Sequence, residues 1–281
     1  MYLIGNEGFD DFSLLDSGDG NRLERWGAYT LVRPDPQTIW QRTDPNAWEN
    51  ADAVFEREQW TMRKELPEYW DMKFHEMKLR ARPMNFKHTG IFPEQAAHWR
   101  LMGNLLHGLD KPRVLNLFAY TGAATIWLTM HGAFATHVDA SRPAIGWAKD
   151  NQELNSLAPE SVRWMLEDAL AFVKKEVKRG SQYEGIVMDP PAFGHGPNGK
   201  VWKFNEHMPR LLADCVALLS PTARFLIVNA YATNTSELAI RNLMEDAMKE
   251  RGGSVEAGQL CLRQVGGRLL STGIFSRWTN A

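Results

Sequence analysis

From Arg113 onward, short apolar runs alternate with amphipathic stretches. RVLNLF (113–118) reads as a buried strand, and YTGAATIWLTMHG as a helix ending near Gly132. FATHVDA (134–140) is a second strand. SRPAIGWAKDNQELN follows as a helix, with Ser141 as N-cap and Pro143 in the first turn. SVRWMLE (161–167) is a third strand, before an amphipathic helix DALAFVKKEVKRG that Gly180 stops. YEGIVMD (183–189) is a fourth, and a Gly/Pro-rich loop then leads to a helix through MPRLLADCVALL. ARFLIVNA (223–230) is a fifth, SELAIRNLMEDAMKERGG is helical, and VEAGQLCLRQ and RLLSTGIFSRW close the chain around Gly266-Gly267. Strand–helix alternation at this spacing predicts an α/β fold of βαβ units, a doubly wound, mostly parallel seven-stranded sheet. The last two strands are joined too tightly for a parallel crossover, so an antiparallel C-terminal pair is expected.

The first eighty-odd residues have a different rhythm. LERWGAYTLVR (23–33) alternates as one or two strands, and PDPQTIW breaks the pattern at Pro34 and Pro36. Six of the eleven tryptophans (Trp26, Trp40, Trp48, Trp60, Trp70 and Trp99) fall in the first hundred residues. Large aromatics filling the core of a small β-rich module explain them better than stacking on bases. Lys73, Lys78, Arg80, Arg82 and Lys87 form a basic stretch that reads equally as a solvated strand pair or a nucleic-acid-facing edge. The expected organisation is a β-rich accessory module over 1–85 and a ligand-binding α/β domain over 86–281.

Composition narrows the class. Of 281 residues, 44% are hydrophobic and 23% charged, which excludes disordered and disulfide-scaffold chains. Two cysteines cannot make a structural zinc site, and the eight histidines show no metal spacing, so no metal is expected. No apolar run is long enough to span a bilayer, and the first residues lack a signal-peptide pattern, so a cytoplasmic protein without membrane partners is expected. The net charge of −2 divides into −5 over 1–85 (11 basic, 16 acidic) and +3 over 86–281 (21 basic, 18 acidic). The second part is the better place for a polyanion.

In a doubly wound sheet, ligands bind beyond the carboxyl ends of the strands. Phe118-Ala119-Tyr120-Thr121-Gly122 follows the first strand, Asp139 the second, Glu167-Asp168 the third, and Asp189-Pro190-Pro191-Ala192-Phe193 the fourth. Gly122 and Ala119 let backbone approach a ligand. An acid after the second strand suits the hydroxyls of a ribose, and Asp168 an adenine amino group. Only Gly122 remains of a G-x-G-x-x-G fingerprint, so a pyrophosphate is poorly served. An adenosine cofactor without phosphates, S-adenosylmethionine, fits better. Pro190 and Pro191 fix the backbone and donate no N–H. Their carbonyl-lined ledge, beside the Phe193 ring, suits a flat heterocycle bearing N–H groups; a tight turn with Phe193 in the core is the other reading.

VLNLFAYTG, VDAS, LEDAL and DPPAFG, in this order and spacing, resemble the class I S-adenosylmethionine-dependent methyltransferases. More narrowly they resemble the large-subunit ribosomal RNA methyltransferases that include cytosine-C5 enzymes. KHTGIFPEQ (87–95) resembles the segment that closes over the cofactor in that family. The resemblance implies that Phe118, Ala119, Tyr120, Thr121 and Gly122 line the methionine side, that Asp139, with Ala140 and Ser141, holds the ribose, and that Glu167 and Asp168 meet the adenine. It further implies that Thr89 and Phe92 cover the cofactor. It implies too that Asp189, with Pro190, Pro191 and Phe193, forms the transfer site. The implied acceptor is RNA, ribosomal RNA first.

One departure matters. Cytosine-C5 transfer needs a thiolate to add at C6, and relatives using that chemistry carry Cys directly after the fifth strand. Here Val228-Asn229-Ala230-Tyr231 stands there. Cys215 and Cys261 read as buried thiols in a helix and a strand. Transfer to a nitrogen needs no nucleophile, and Asn229 and Tyr231 are candidate base contacts. C5 chemistry by another nucleophile, a nicotinamide oxidoreductase and an RNA-binding module without chemistry are the alternatives. His195, Lys200, Lys203 and Arg210 are candidates for substrate or phosphate contact, or for a solvated face; Lys174, Lys175, Lys178 and Arg179 read as favourable charge at a helix C-terminus.

Overall fold

The computed structural model describes residues 1–84, 86–195 and 201–280. These group into two compact units. One holds Met1–Tyr2, His98–Gln259 and the chain from Gly273 onward; the other holds Leu3–Ala97 and Leu260–Thr272. The 85/86 boundary expected from sequence therefore falls inside the second unit, where Arg82 N–H donates to the Thr89 carbonyl (3.1 Å).

Strand β1 (Tyr2–Ile4) belongs to the larger sheet described below. The second unit is built on β2 (Phe12–Gly18), β3 (Asn21–Trp26), β4 (Tyr29–Pro34), β5 (Ala53–Glu56) and β6 (Gln59–Met62), in that order in one sheet. All pairings are antiparallel except β4 with β5. A ribbon of β7 (Trp70–Phe74) and β8 (Met77–Ala81) turns Met72, Phe74, Met77 and Leu79 inward and Lys73 and Lys78 outward. Lys73 and Lys78 thus stand on the solvated side of an alternating strand pair, while Arg80 lies over the Tyr69 ring and Lys87 donates to the Pro34 carbonyl (3.2 Å). Trp26, Trp48 and Trp70 are core residues, and Trp26 packs edge-on to Phe12 at 4.9 Å. Inside this unit Glu24 is fully buried with Arg33 in a two-pronged pair (Nε–Oε2 2.6 Å, Nη2–Oε1 2.9 Å), and Arg22 approaches the same carboxylate at 3.2 Å.

The larger sheet with its helices follows the expected alternation. It begins with α1 (Ala96–Leu106), β9 (Arg113–Leu117), α2 (Ala123–Met130), β10 (Phe134–Asp139), α3 (Arg142–Leu154), β11 (Val162–Leu166) and α4 (Ala169–Arg179). Then come β12 (Gly185–Met188), a short antiparallel pair β13 (Phe193–His195) and β14 (Val201–Lys203), α5 (Phe204–Ala217), β15 (Phe225–Ala230), α6 (Glu237–Met248), β16 (Ser254–Arg263) and β17 (Leu269–Thr279). The sheet order is β1-β16-β17-β15-β12-β9-β10-β11, with β9, β10, β11, β12 and β15 parallel and β17 antiparallel to β15. The seven expected strands are present, and β1 adds an eighth at the β16 edge.

Strands β12 and β15 are buried at every position, as parallel strands covered on both faces must be. Phe172, Leu211, Leu212, Met208 and Ile186 fill the space under helices α4 and α5, each contributing about 1.5–3 kcal/mol. Local chemistry sets the helix ends. The Oγ of Ser141 accepts from Ala144 N–H (3.3 Å), Asp168 Oδ1 from Ala171 N–H (3.0 Å) and Ser236 Oγ from Ala239 N–H (3.3 Å), while Gly180 ends α4 at φ 64°. Helix α5 starts at Phe204, ahead of the expected Met208, because Phe204 extends the buried stripe of Met208, Leu211 and Cys215.

Candidate active site

The loop after β9 holds three left-handed residues in five: Phe118 (φ 54°), Tyr120 (φ 51°) and Gly122 (φ 84°). Side chains on the first two make that conformation costly, on the order of 1 kcal/mol or more each, and the neighbouring strand ends hold it. Ala119 N–H donates to the Val138 carbonyl (3.1 Å), Tyr120 N–H to Asp139 Oδ2 (2.8 Å), and Asn151 Nδ2 to the Thr121 carbonyl (2.9 Å). Gly122 has a further reason: a Cβ there would lie 2.8 Å from the Ala148 Cβ. Its bareness serves the packing of α2 against α3 more directly than the approach of a ligand.

Asp139 is the hub of this edge. Its Oδ1 accepts from Ser141 N–H (2.8 Å) and its Oδ2 from Tyr120 N–H, while its carbonyl accepts from Glu167 N–H (3.1 Å). Burial pushes its carboxyl above the usual range, and the N–H donors pull the other way. The N–H groups of Ser141, Tyr120 and Ala140 share its roughly four lone-pair directions; what remains can accept a hydroxyl. Asp168 caps α4 through Oδ1, and among the described residues no donor takes its Oδ2. Glu167 pairs with Lys175, so its carboxylate is engaged on the protein side. Ala140 and Ser141 are exposed beside Asp139. Asp189 N–H donates to the Leu117 carbonyl (3.3 Å), bringing the fourth strand end to the first. The ends of β9, β10, β11 and β12 are thereby laced into one edge.

Beyond β12, Pro190 is buried, Pro191 exposed and Phe193 55% exposed, so the Phe193 ring is not a core ring. Sequence reading missed Trp202. Its indole Nε1 donates to the Pro191 carbonyl (2.6 Å), and its ring lies 5.0 Å from Phe118 and is stacked at 5.5 Å on His207. In the β13–β14 register, Phe193 faces Lys203 and Gly194 faces Trp202, so Trp202 points inward while Phe193 and Lys203 share the outer face. The one sequence signal was the apolar pair Trp202 and Phe204 flanking Lys203.

The remaining candidates separate. Thr89 and Phe92 lie in the other unit, Thr89 fully buried and Phe92 opening a single 3-10 turn over Pro93–Gln95. Asn229 is buried in β15, and the Tyr231 ring leans on Gly273, where a Cβ would sit 2.8 Å away. Cys215 is fully buried in α5 and Cys261 is buried in β16; burial pushes the Cys215 thiol far up and raises that of Cys261. His195 belongs to β13, and Lys200 lies outside the described residues. Among the described residues no cluster of side chains could hold a metal ion, and no helix is long and apolar enough to cross a membrane.

No family model matches the chain. A crystal structure of the S-adenosylmethionine-dependent methyltransferase from Agrobacterium tumefaciens superposes at a TM-score of 0.96, with 42% identity over 99% of this chain and 93% of that one. The chain belongs to the S-adenosylmethionine-dependent methyltransferases. A Streptococcus mutans protein assigned to the same enzymes shares the fold at a TM-score of 0.75 and 17% identity, over 97% of this chain and 76% of its own. Ribosomal RNA large subunit methyltransferase K/L of Shewanella baltica is 36% identical over 146 residues, 50% of this chain. The same-named protein of Shewanella frigidimarina is 32% identical over 143 residues. The chain spans about a fifth of the length of these curated relatives. For this methyltransferase the nicotinamide reading falls, in keeping with the missing pyrophosphate loop.

Proposed function

We propose that this methyltransferase transfers the methyl group of S-adenosylmethionine to a nitrogen of a base in RNA, ribosomal RNA foremost. The observation that carries the reading is the stiff Asp189–Phe193 ledge, its aromatic ring exposed, beside a strand edge whose Asp139 and Asp168 retain acceptor capacity. Those residues fit an adenosine cofactor without phosphates. Asp139 would take the ribose hydroxyls, Asp168 the adenine amino group, and the Phe118–Gly122 loop the methionine side. The ribosomal RNA methyltransferases among its relatives support RNA as acceptor. A cytoplasmic location and an accessory role for residues 1–85 belong to the same proposal.

The bound cofactor supplies an electrophilic methyl on a cationic sulfur. The chain supplies position, which is most of what such a displacement needs. Phe193 stacks on the base, and the Asp189 carboxylate and Pro190 carbonyl accept its N–H groups. Where the acceptor is an exocyclic amine, Asp189 takes the released proton. No thiolate is required, in line with two cysteines whose thiols are buried and held protonated.

The test is transfer of tritium from labelled S-adenosylmethionine to total RNA, with nucleoside mass spectrometry of the product. A methyl on nitrogen, retained in a Cys215→Ala/Cys261→Ala double variant, is the expected result. A covalent adduct with 5-fluorocytidine RNA would overturn the nitrogen assignment, and label in protein alone would overturn RNA as acceptor.

A further inference from the structure

A basic face on α4 and a mixed-charge face on α5, apart in sequence, meet across one groove. On α4, Lys174, Lys175 and Lys178 follow Ala171 at helical spacing; on α5, His207, Arg210 and Asp214 do the same. Between them runs a groove of about 530 Å³, lined also by Leu170, Trp202 and Asp168. Lys175 is held by Glu167, and Arg210 sits 3.9 Å from Asp214 with its side chain 70% exposed. Among the described residues, Lys174 and Lys178 are exposed and enter no ion pair. Lys178 alone is explained by the helix dipole, which reaches only the last turn; Lys174 lies too early for that. One helical turn separates the two, about 6 Å along the axis, close to the separation of neighbouring phosphates in an extended strand.

We infer that this groove is the track on which the phosphodiester backbone of the acceptor RNA lies, with Lys174, Lys178 and Arg210 as its phosphate contacts. The inference rests on the RNA reading above and adds where the strand runs. Val201 lines the groove and stands two residues before Lys203, which shares the outer face of the hairpin with Phe193. A strand seated between α4 and α5 therefore leads toward the exposed ring that would receive its base. An acidic polypeptide would find the charge but no use for that ring, so nucleic acid is the better occupant. Phosphate contacts position the strand and carry no sequence information; choice of base stays with the ledge.

The experiment is fluorescence anisotropy of the full chain with a labelled 20-nucleotide RNA of mixed sequence, over a range of potassium chloride concentrations. It compares the wild type with Lys174→Ala/Lys178→Ala and with Lys174→Glu/Lys178→Glu. Removing two phosphate contacts lowers the magnitude of the log–log salt slope by about 1.4 and weakens binding about tenfold at moderate salt; charge reversal weakens it further. S-adenosylhomocysteine binding, followed by calorimetry, stays as in the wild type and reports an intact fold. Wild-type RNA binding with the same slope in both variants would overturn the groove assignment and leave the RNA reading standing. A wild type that binds poly-glutamate and not RNA would overturn both.

Discussion

The Asp139 carboxylate accepts the backbone N–H of Tyr120 at 2.8 Å, across the gap between the ends of β10 and β9. One side chain thus holds a left-handed residue of the loop in place. Asp139→Ala is expected to raise the Kd for S-adenosylhomocysteine at least about a hundredfold, since hydrogen bonds to a charged acceptor are worth about 1.5–3 kcal/mol each. Asp139→Asn, which keeps one acceptor, should lose less. Titration calorimetry decides, and an unchanged Kd in Asp139→Ala would remove the ribose role.

Trp202 should act on turnover rather than on cofactor affinity. Its indole N–H holds the Pro191 carbonyl at 2.6 Å, and Trp202→Phe removes that donor while keeping a ring against Phe118. The expected outcome is a fall in kcat of about tenfold through misplacement of the ledge, with the cofactor Kd within about twofold. Trp202→Ala also opens a cavity costing about 3–5 kcal/mol. Equal kcat in Trp202→Phe and wild type would show that the ledge stands unaided.

The sequence announced the α/β unit because parallel strands buried on both faces leave unbroken apolar runs, as in Ile186–Met188 and Phe225–Val228. Caps at Ser141, Asp168, Ser236 and Gly180 are local chemistry and were equally legible. The strand-end acids could be located by position alone. Strand β1 and the β13–β14 pair were not legible, because three residues carry too little alternation. Nor was the burden on Gly122 or Trp202, whose partners Ala148 and Pro191 are set by tertiary packing.

In the other unit, Glu24 pairs in the interior with Arg33 at 2.6 Å and Arg22 at 3.2 Å, and Asp35 faces Arg22 at 3.6 Å. Glu24→Gln leaves buried positive charge uncompensated and should cost about 3–5 kcal/mol. Urea unfolding followed by tryptophan fluorescence measures it. A loss under about 1 kcal/mol would mean that water or a shifted side chain takes over the charge.

Acid should weaken the fold from near neutrality. His98 and His137 are fully buried, and burial pushes both down to about 3 from an ordinary 6.5. Above 6.5 both states hold them neutral and the stability is fully present. As pH falls below 6.5 the unfolded chain takes up protons that the folded chain refuses, so stability declines until about pH 3. Each group contributes about 1.4 kcal/mol per pH unit, together about 2.7. Urea midpoints at pH 7, 6 and 5 test this, and a flat profile contradicts it.

Leu260–Thr272 completes the unit otherwise made of Leu3–Ala97: Gln264 Nε2 donates to Asp16 Oδ1 (2.9 Å), Ser17 Oγ donates to Gln264 Oε1 (2.6 Å), and Val265 N–H donates to the Leu14 carbonyl (2.8 Å). A ribosome releasing this chain exposes the opening strands long before their last partner exists. The early β-sheet must therefore wait for nearly the whole polypeptide to emerge before Gln264 reaches Asp16 Oδ1 and Ser17 Oγ. Severing the gene near codon 85 would not yield two healthy halves, because each fragment would lack a piece that the other carries.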